Sequence, residues 1–80
     1  SLCLRPHQAM DAVVLLGLNV RKYRKLRGMT QEQLGLETEM ERSYVSDLER
    51  GTRNPSVRAV ERLARALEIE PHQLLMPGEE

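Results

Sequence analysis

The side chains best suited to recognise another molecule lie in one short segment, Glu37 to Gly51, which reads ETEMERSYVSDLERG. Arg42 carries a guanidinium group that can form two parallel hydrogen bonds with O6 and N7 of guanine, and Ser43 and Ser46 carry small hydroxyl groups. The same segment holds five carboxylates, which would repel a polyanion: Glu37, Glu39, Glu41, Asp47 and Glu49. Whether the segment can approach a nucleic acid therefore depends on where each carboxylate lies.

Catalytic and metal-binding chemistry finds little support in the sequence. Cys3 is the only cysteine, and the two histidines, His7 and His72, lie in separate terminal segments without the spacing of a catalytic triad or a metal site. No glycine-rich phosphate loop is present. We expect no enzyme activity, no metal, no cofactor and no small-molecule substrate.

The charge of the chain is balanced in sum but not along its length. Twelve basic residues match twelve acidic ones. Five basic residues crowd the range 21–27, further arginines follow in the range 42–58, and glutamates collect after residue 67. The chain is therefore neutral overall, but its charges are unevenly distributed, so that its zero net charge does not exclude a nucleic-acid partner.

The sequence also bears on localisation. The apolar run AVVLLGLNV is too short to cross a bilayer and leads into a charged pattern, so we expect no membrane partner and no export signal. A lone cysteine without a disulfide framework favours a reducing compartment. The expected location is cytoplasmic.

Hydrophobic spacing divides the chain of 80 residues into helices. Apolar residues at intervals of three and four predict a first helix that ends before Gly28, with Pro6 as a candidate for its first turn. Thr30 and Gln33 form a capping-box pattern for a second helix from about residue 31 to residue 38, and Ser56 is a natural N-cap for a fourth. The third helix must stop near Gly51.

These elements predict an all-α domain of five helices without strands. The fourth helix has an apolar stripe that we expect in the core: Val57, Val60, Leu63, Ala64 and Leu67. Pro71 can start a fifth helix, PHQLL. We divide the chain into residues 1–10, an N-terminal extension or the start of the first helix, residues 11–76, one compact domain that holds these helices, and residues 77–80, a C-terminal tail.

The second and third helices have the spacing of a helix-turn-helix, in which the third helix enters the major groove of DNA. Leu34 can anchor the second helix, and Gly35 is small where the third helix crosses closely. Val45 and Leu48 can face inward from the third helix. The residues that support this motif extend from Gln31 to Arg50.

Three segments resemble the lambda-repressor-like helix-turn-helix family, also known as the Xre or Cro family: GLNVRKYRKLRGMTQEQL, RSYVSDLERGTRNPS and VERLARALEIEPHQLL. The resemblance covers about residues 16–75. Within the family, the segment ERSYVSDLERGTRNPS is most similar to small stand-alone regulators that include the restriction-modification controller proteins.

The resemblance implies an ion pair between Arg24 and Glu49 that turns away from DNA. It also exposes three departures from the family pattern. The family usually has Ala in place of Gly35, Gly in place of Glu39, and a Ser, Thr, Asn or Asp cap in place of Glu41. A positive φ at Glu39 would cost roughly 1 kcal/mol relative to Gly, and an alternative is a turn of slightly different shape.

In this docking geometry the start of the third helix meets the base edges, which makes Arg42, Ser43, Ser46 and Asp47 the candidates for base readout. Arg42 is the leading candidate. The serines could instead only permit a close approach to the groove. Asp47 could accept from cytosine, reject wrong sequences, or pair with Arg50 or Arg53 on the protein surface; we favour the surface pair.

Contacts with phosphates or the groove are expected from the N-terminus of the second helix and from the loop after the third. Tyr44 could bury its ring or direct its hydroxyl to a phosphate, and by resemblance to controller proteins Arg53 could reach into a groove. The residues of this group are Gln31, Tyr44, Thr52, Arg53, Asn54 and Ser56.

In so short a chain, few other residues remain to pack over the apolar residues near the C-terminus. Exposed apolar surface usually marks an association site. We therefore expect a homodimer through Ile69, Leu74, Leu75 and Met76, although these residues could instead complete the core of the monomer. The function indicated is a regulator of transcription that binds a palindromic site in double-stranded DNA. The alternative is an antitoxin or another protein-interaction module with the same fold.

Overall fold

The computed structural model describes residues 11–78, and these residues form helices and connecting turns without a strand. Four α-helices are present: α1, Ala12–Leu26; α2, Gln31–Thr38; α3, Arg42–Glu49; and α4, Val57–Leu67. A short 3-10 helix, Pro71–Leu75, follows. The all-α class is as predicted, but the expected fifth α-helix is a 3-10 helix, a form typical of such short pieces.

Local hydrogen bonds set the helix ends. The Thr30 hydroxyl accepts from the Gln33 backbone N–H at 3.0 Å, and the Gln33 side chain accepts from the Thr30 backbone N–H at 2.8 Å, which completes the predicted capping box. Ser56 accepts from the Ala59 N–H at 3.1 Å and caps α4. α1 begins after Asp11, whose carboxylate accepts from the Val13 N–H at 2.8 Å. Pro6, the residue proposed for its first turn, lies outside the described residues.

The core draws on all four α-helices and the 3-10 helix. Its buried members are all aliphatic, and each buried Leu or Val stabilises the fold by about 1.5–3 kcal/mol relative to an exposed position. They are Leu16, Val20, Leu34, Val45, Leu48, Leu63, Ala64, Leu67 and Leu74.

Val57 does not belong to this core, contrary to the prediction. Its side chain is 86% exposed, whereas Ala59 is buried. Residues two apart on an α-helix are separated by a rotation of about 200° about the helix axis and so lie on nearly opposite sides. Because Ala59 faces inward, Val57 lies at the surface. Val60 is half-buried against the core.

The C-terminal segment packs onto α1 more closely than the sequence indicated. The buried Asn19 amide donates to the backbone oxygens of Leu74, at 2.8 Å, and Met76, at 2.9 Å. Leu74 is completely buried in the monomer core, and Ile69 packs partly against it. Leu74 therefore has no free surface for the predicted dimer interface, whereas Leu75 and Met76 remain about half exposed.

Candidate nucleic-acid interface

The turn between α2 and α3 has the geometry of a helix-turn-helix. Glu39 occupies the left-handed region with φ 61° and ψ 38°, and the Met40 N–H donates to the Gly35 carbonyl at 2.8 Å. The turn is therefore built on Glu39 at a position where the family usually has Gly. The left-handed backbone at a non-glycine residue costs about 1–2 kcal/mol, which the surrounding packing must offset.

Glycines allow α3 to approach its neighbours. A Cβ atom on Gly35 would lie 2.6 Å from the Met40 carbonyl oxygen, closer than side chains normally come. A Cβ on Gly17, in the middle of α1, would collide with the backbone oxygen of Leu48 in α3. Gly17 weakens α1 as an isolated helix, but it lets α1 cross α3 at backbone contact.

The Arg24–Glu49 ion pair implied by the resemblance is present and buried. Arg24 Nε lies 2.5 Å from Glu49 Oε2, and Nη2 lies 3.0 Å from Oε1. Arg24 Nη1 also donates to the Met29 carbonyl at 2.8 Å. Removing one partner of such a pair costs about 3–5 kcal/mol, because the other charge is left buried. Glu49 therefore faces the domain interior and not the outer surface of α3.

Gln31 extends this network. Its amide nitrogen donates to Glu49 Oε1 at 3.1 Å, and the residue is half-buried at the start of α2. The side chain proposed to contact phosphate is thus tied to the ion pair in the free protein. The expected phosphate contact stays a prediction, and the position of Gln31 at a helix N-terminus is favourable for it.

The outer face of α3 presents the residues predicted for base readout. Arg42 and Ser43 are exposed in the first turn of the helix, and Ser46 and Asp47 are half-buried one turn later. Glu41, the residue before α3, makes no side-chain cap. Its charge is nevertheless favourable at a helix N-terminus.

Arg50 is the residue of this face that the sequence reasoning did not assign to a site. It directly follows α3 as its C-cap residue, donates from Nη1 to the Ser46 hydroxyl at 3.1 Å, and forms an ion pair through Nη2 with Asp47 Oδ1. The structure thus supports the surface pair that we favoured for Asp47. The intervals of three and four residues from Asp47 and Ser46 to Arg50 were the available signal.

The loop after α3 folds back on the helix. Thr52 donates from its backbone N–H and its hydroxyl to the Asp47 carbonyl, at 3.0 and 3.1 Å. The Arg53 guanidinium carbon lies 4.7 Å from the centre of the Tyr44 ring. Asn54 is exposed, and the Ser56 hydroxyl is used as the cap of α4. Thr52 and Arg53 are thus held against α3, and the Ser56 hydroxyl is held by α4. The phosphate contacts expected from this loop stay predictions.

Three arginines, Arg42, Arg50 and Arg53, are exposed on α3 and this loop. The nearby carboxylates are partly neutralised, since Glu49 is buried against Arg24 and Asp47 is paired with Arg50. The surface around α3 thus carries less unpaired negative charge than the number of acidic residues in this segment suggests.

Residues 11–78 lack the features of two other kinds of functional site. No group of three or more His, Cys, Asp or Glu side chains in this range could hold a metal ion. Within the same residues no helix has the length and apolar character needed to span a membrane.

Comparisons with known proteins agree with the geometry. A family model described as helix-turn-helix matches residues 20–74. The chain is 43% identical over 63 residues to the control protein C.BamHI of Bacillus amyloliquefaciens, and the alignment covers 78% of each sequence. The crystal structure of the restriction-modification controller protein C.AhdI from Aeromonas hydrophila is 42% identical with a TM-score of 0.75, covering 78% of this chain and 94% of that chain.

A third similar structure is that of SinR, described as the master regulator for biofilm formation, in complex with DNA. It is 31% identical with a TM-score of 0.72, covering 76% of this chain and 98% of that chain. These similarities and the observed turn between α2 and α3 confirm the resemblance predicted from the motifs. The chain belongs to the helix-turn-helix family of transcription regulators, and its relatives include restriction-modification controller proteins.

Proposed function

We propose that this protein binds double-stranded DNA in a sequence-specific manner, as a homodimer on a palindromic operator, with α3 in the major groove. The observation that carries the proposal is the exposed face of α3, which presents Arg42 and Ser43 in its first turn. Glu49 does not lie on this face, because it turns inward and is neutralised by Arg24. In the helix-turn-helix docking geometry, this first turn contacts base edges.

The surrounding residues fit the phosphate backbone on either side of such a groove. Gln31 lies at the N-terminus of α2, and Thr52, Arg53 and Asn54 lie in the loop after α3. Phosphate contacts of this kind set the register of the protein on the duplex, whereas base contacts set its specificity. The similarity to a regulator solved in complex with DNA supports the same docking for this chain.

The homodimer is proposed from a second surface. Leu18, Leu75 and Met76 are 49%, 48% and 50% exposed, and the Asn19 bonds to the C-terminal backbone bring these segments together. A two-fold dimer through this surface would present two copies of α3 to half-sites roughly 34 Å apart, one turn of DNA. The proposed site of action is the cytoplasm, and the proposed activity is regulatory and not enzymatic.

Selection from a pool of randomised duplexes, followed by sequencing, tests this proposal. We expect the wild-type protein to enrich a symmetric motif with one specified guanine per half-site that depends on Arg42. Arg42→Ala should relax that position and weaken binding to the selected duplex by about 1–3 kcal/mol. The matched control is Arg65→Ala, which removes the same charge from exposed surface on α4.

Two results would contradict the proposal. If the wild-type protein enriches no motif at low salt, the chain does not recognise DNA by sequence. If Arg65→Ala weakens binding as much as Arg42→Ala, general charge and not direct readout accounts for the affinity.

A further inference from the structure

Arg50 lies on the same side of α3 as the residues proposed for base readout. Ser43, Ser46, Asp47 and Arg50 follow one another at intervals of three, one and three residues, so all four lie on one side of the helix. Arg50 is exposed, and it stands at the C-terminal end of this side while Arg42 stands at the other end. The face of α3 thus has an arginine at each end.

The Arg50 side chain is held by two contacts. Nη1 donates to the Ser46 hydroxyl at 3.1 Å, and Nη2 forms an ion pair with Asp47 Oδ1. A guanidinium has five N–H groups in a rigid planar fork, and these two bonds leave other donors able to meet a partner. The Asp47 side chain is the more buried of the pair, 31% exposed against 64% for Arg50, so Asp47 is the fixed support and Arg50 the projecting group.

Such a pair on the surface contributes little to folding stability. Its effect is on conformation, because a long side chain that is already restrained loses less freedom when it binds a partner. Restraint also favours the flat, two-pronged contact that arginine makes with the O6 and N7 atoms of guanine.

We infer that Arg50 is a further specificity-determining residue that recognises a guanine in the same groove as Arg42, and that Asp47 is the positioning residue that holds it. This inference rests on the proposed DNA-binding function and deepens it. It also gives Asp47 a role on a surface that faces a polyanion.

Positioning of Arg50 by Asp47 and simple charge repulsion predict opposite changes in DNA affinity when Asp47 is removed. Asp47→Ala removes a negative charge close to DNA, so electrostatics alone would tighten binding to every duplex. If Asp47 positions Arg50, the same variant must lose affinity for the selected duplex, while its affinity for a random-sequence duplex stays equal or rises.

The test measures affinity by fluorescence anisotropy at two salt concentrations, with the duplex that the wild-type protein selects and a random-sequence duplex of equal length as probes. The quantity compared is the ratio of the two affinities, from which any loss of folded protein cancels. We expect Asp47→Ala and Arg50→Ala each to reduce this ratio about ten-fold, which is the effect of losing one well-made base contact.

Two further variants isolate the mechanism. In the Arg50→Ala background, Asp47→Ala should leave the ratio unchanged, because the residue through which Asp47 acts is gone. Glu61→Ala is the matched control, since Glu61 forms surface ion pairs with Arg58 and Arg65 at the same helical intervals on α4. It should leave the ratio at the wild-type value.

The outcomes separate this inference from the function on which it rests. An Asp47→Ala ratio equal to or above wild type overturns the inference alone, as does an Arg50→Ala variant that weakens both probes equally and selects the same bases, which is the behaviour of a phosphate contact. A wild-type protein that selects no duplex overturns the proposed function and this inference with it.

Discussion

The ring of Tyr44 lies between the domain core and the guanidinium of Arg53. The residue is half-buried and packs against the core cluster, and Arg53 is stacked over its outer face at 4.7 Å. A cation over an aromatic ring at an exposed site is worth about 0.5–1 kcal/mol, enough to bias a flexible loop toward one conformation. Tyr44 can therefore act as a platform for Arg53 whether or not its hydroxyl contacts a phosphate.

Two substitutions at Tyr44 distinguish the ring from the hydroxyl. Tyr44→Phe keeps the ring, and we expect its affinity for the selected duplex to stay within about two-fold of wild type. Tyr44→Leu keeps an apolar side chain but removes the aromatic face, and it should weaken binding by about 0.5–1 kcal/mol. Competitive gel shifts at fixed salt measure both.

The control is the same pair of variants in an Arg53→Ala background, where the difference between Phe and Leu should disappear. A Tyr44→Phe protein that binds as weakly as Tyr44→Leu would show instead that the hydroxyl makes the important contact. The platform role would then be wrong.

The carboxylates of the segment Glu37 to Gly51 have different surroundings. Glu49 is buried against Arg24, and Asp47 is paired with Arg50. Glu39 lies in the turn, 4.0 Å from Arg62, and Glu41 lies just before the N-terminus of α3, where a negative charge is favourable. Glu37 is exposed near the end of α2. The surroundings of these carboxylates thus reduce the electrostatic repulsion from DNA that the composition of the segment alone would predict.

At the scale of the elements, the turn from α2 to α3 stores conformational strain at Glu39. Its φ of 61° is accessible to Gly without penalty but is unfavourable for a residue with a Cβ atom. The side chain is largely exposed, and its closest ion pair, with Arg62, is long at 4.0 Å. The side-chain contacts of Glu39 therefore add little folding stability to offset the strain of its backbone.

We predict that Glu39→Gly stabilises the protein by roughly 1 kcal/mol, because it relieves the left-handed strain at the cost of a weak surface contact. Glu37→Gly is the matched control. It is the same chemical change two residues earlier, within α2, and it should destabilise by about 1 kcal/mol, since glycine is unfavourable inside a helix. Urea unfolding followed by circular dichroism gives both free energies. A Glu39→Gly variant that is destabilised as Glu37→Gly is would show that the turn is not strained.

Elements with local signals could be predicted from the sequence, often to the residue. The second helix was expected from Thr30 and Gln33, whose reciprocal hydrogen bonds depend only on three-residue spacing, and Ser56 marked the start of α4 for the same reason. Gly35 and the crossing of α2 and α3 followed from the motif. These features depend on neighbours a few residues away.

Features that depend on distant parts of the chain were missed or left open between alternatives. The bonds from Asn19 to Leu74 and Met76 join residues more than 50 positions apart, and they place Leu74 in the core and not on the predicted interface. Val57 fitted the apolar rhythm of α4, but the helix is rotated so that Ala59 faces inward. Arg50 was overlooked as a site residue because its role depends on side-chain conformation, which spacing permits but does not fix.

At the scale of the whole molecule, the exposed arginines on and after α3 and the proposed dimer surface lie on different elements. Exposed arginines lie at the start of α3 and after its end, at Arg42, Arg50 and Arg53, whereas Glu68 and Glu70 are exposed after α4. The apolar surface of Leu18, Leu75 and Met76 belongs to α1 and the C-terminal segment. Self-association through that surface would leave α3 accessible, which is the arrangement that a dimer on a palindrome requires.

We predict that Leu18→Asp and Met76→Asp each weaken self-association by at least roughly ten-fold, because each would bury a charge in an apolar contact. The Asn19 bond to residue 76 uses the backbone oxygen, so Met76→Asp should leave the domain folded. Leu36→Asp is the matched control, since Leu36 is 76% exposed on α2, outside the proposed interface. Sedimentation equilibrium without DNA measures the dissociation constants.

The same variants connect association to operator binding. A dimer gains affinity from engaging two half-sites at once, so Met76→Asp should lose affinity for the full symmetric duplex and bind a single half-site as the wild type does. A wild-type protein that stays monomeric at high micromolar concentration would remove the dimer. A control variant, Leu36→Asp, that dissociates as readily as Met76→Asp would contradict this interface, because the loss of association would then follow from added charge and not from the surface that contains Met76.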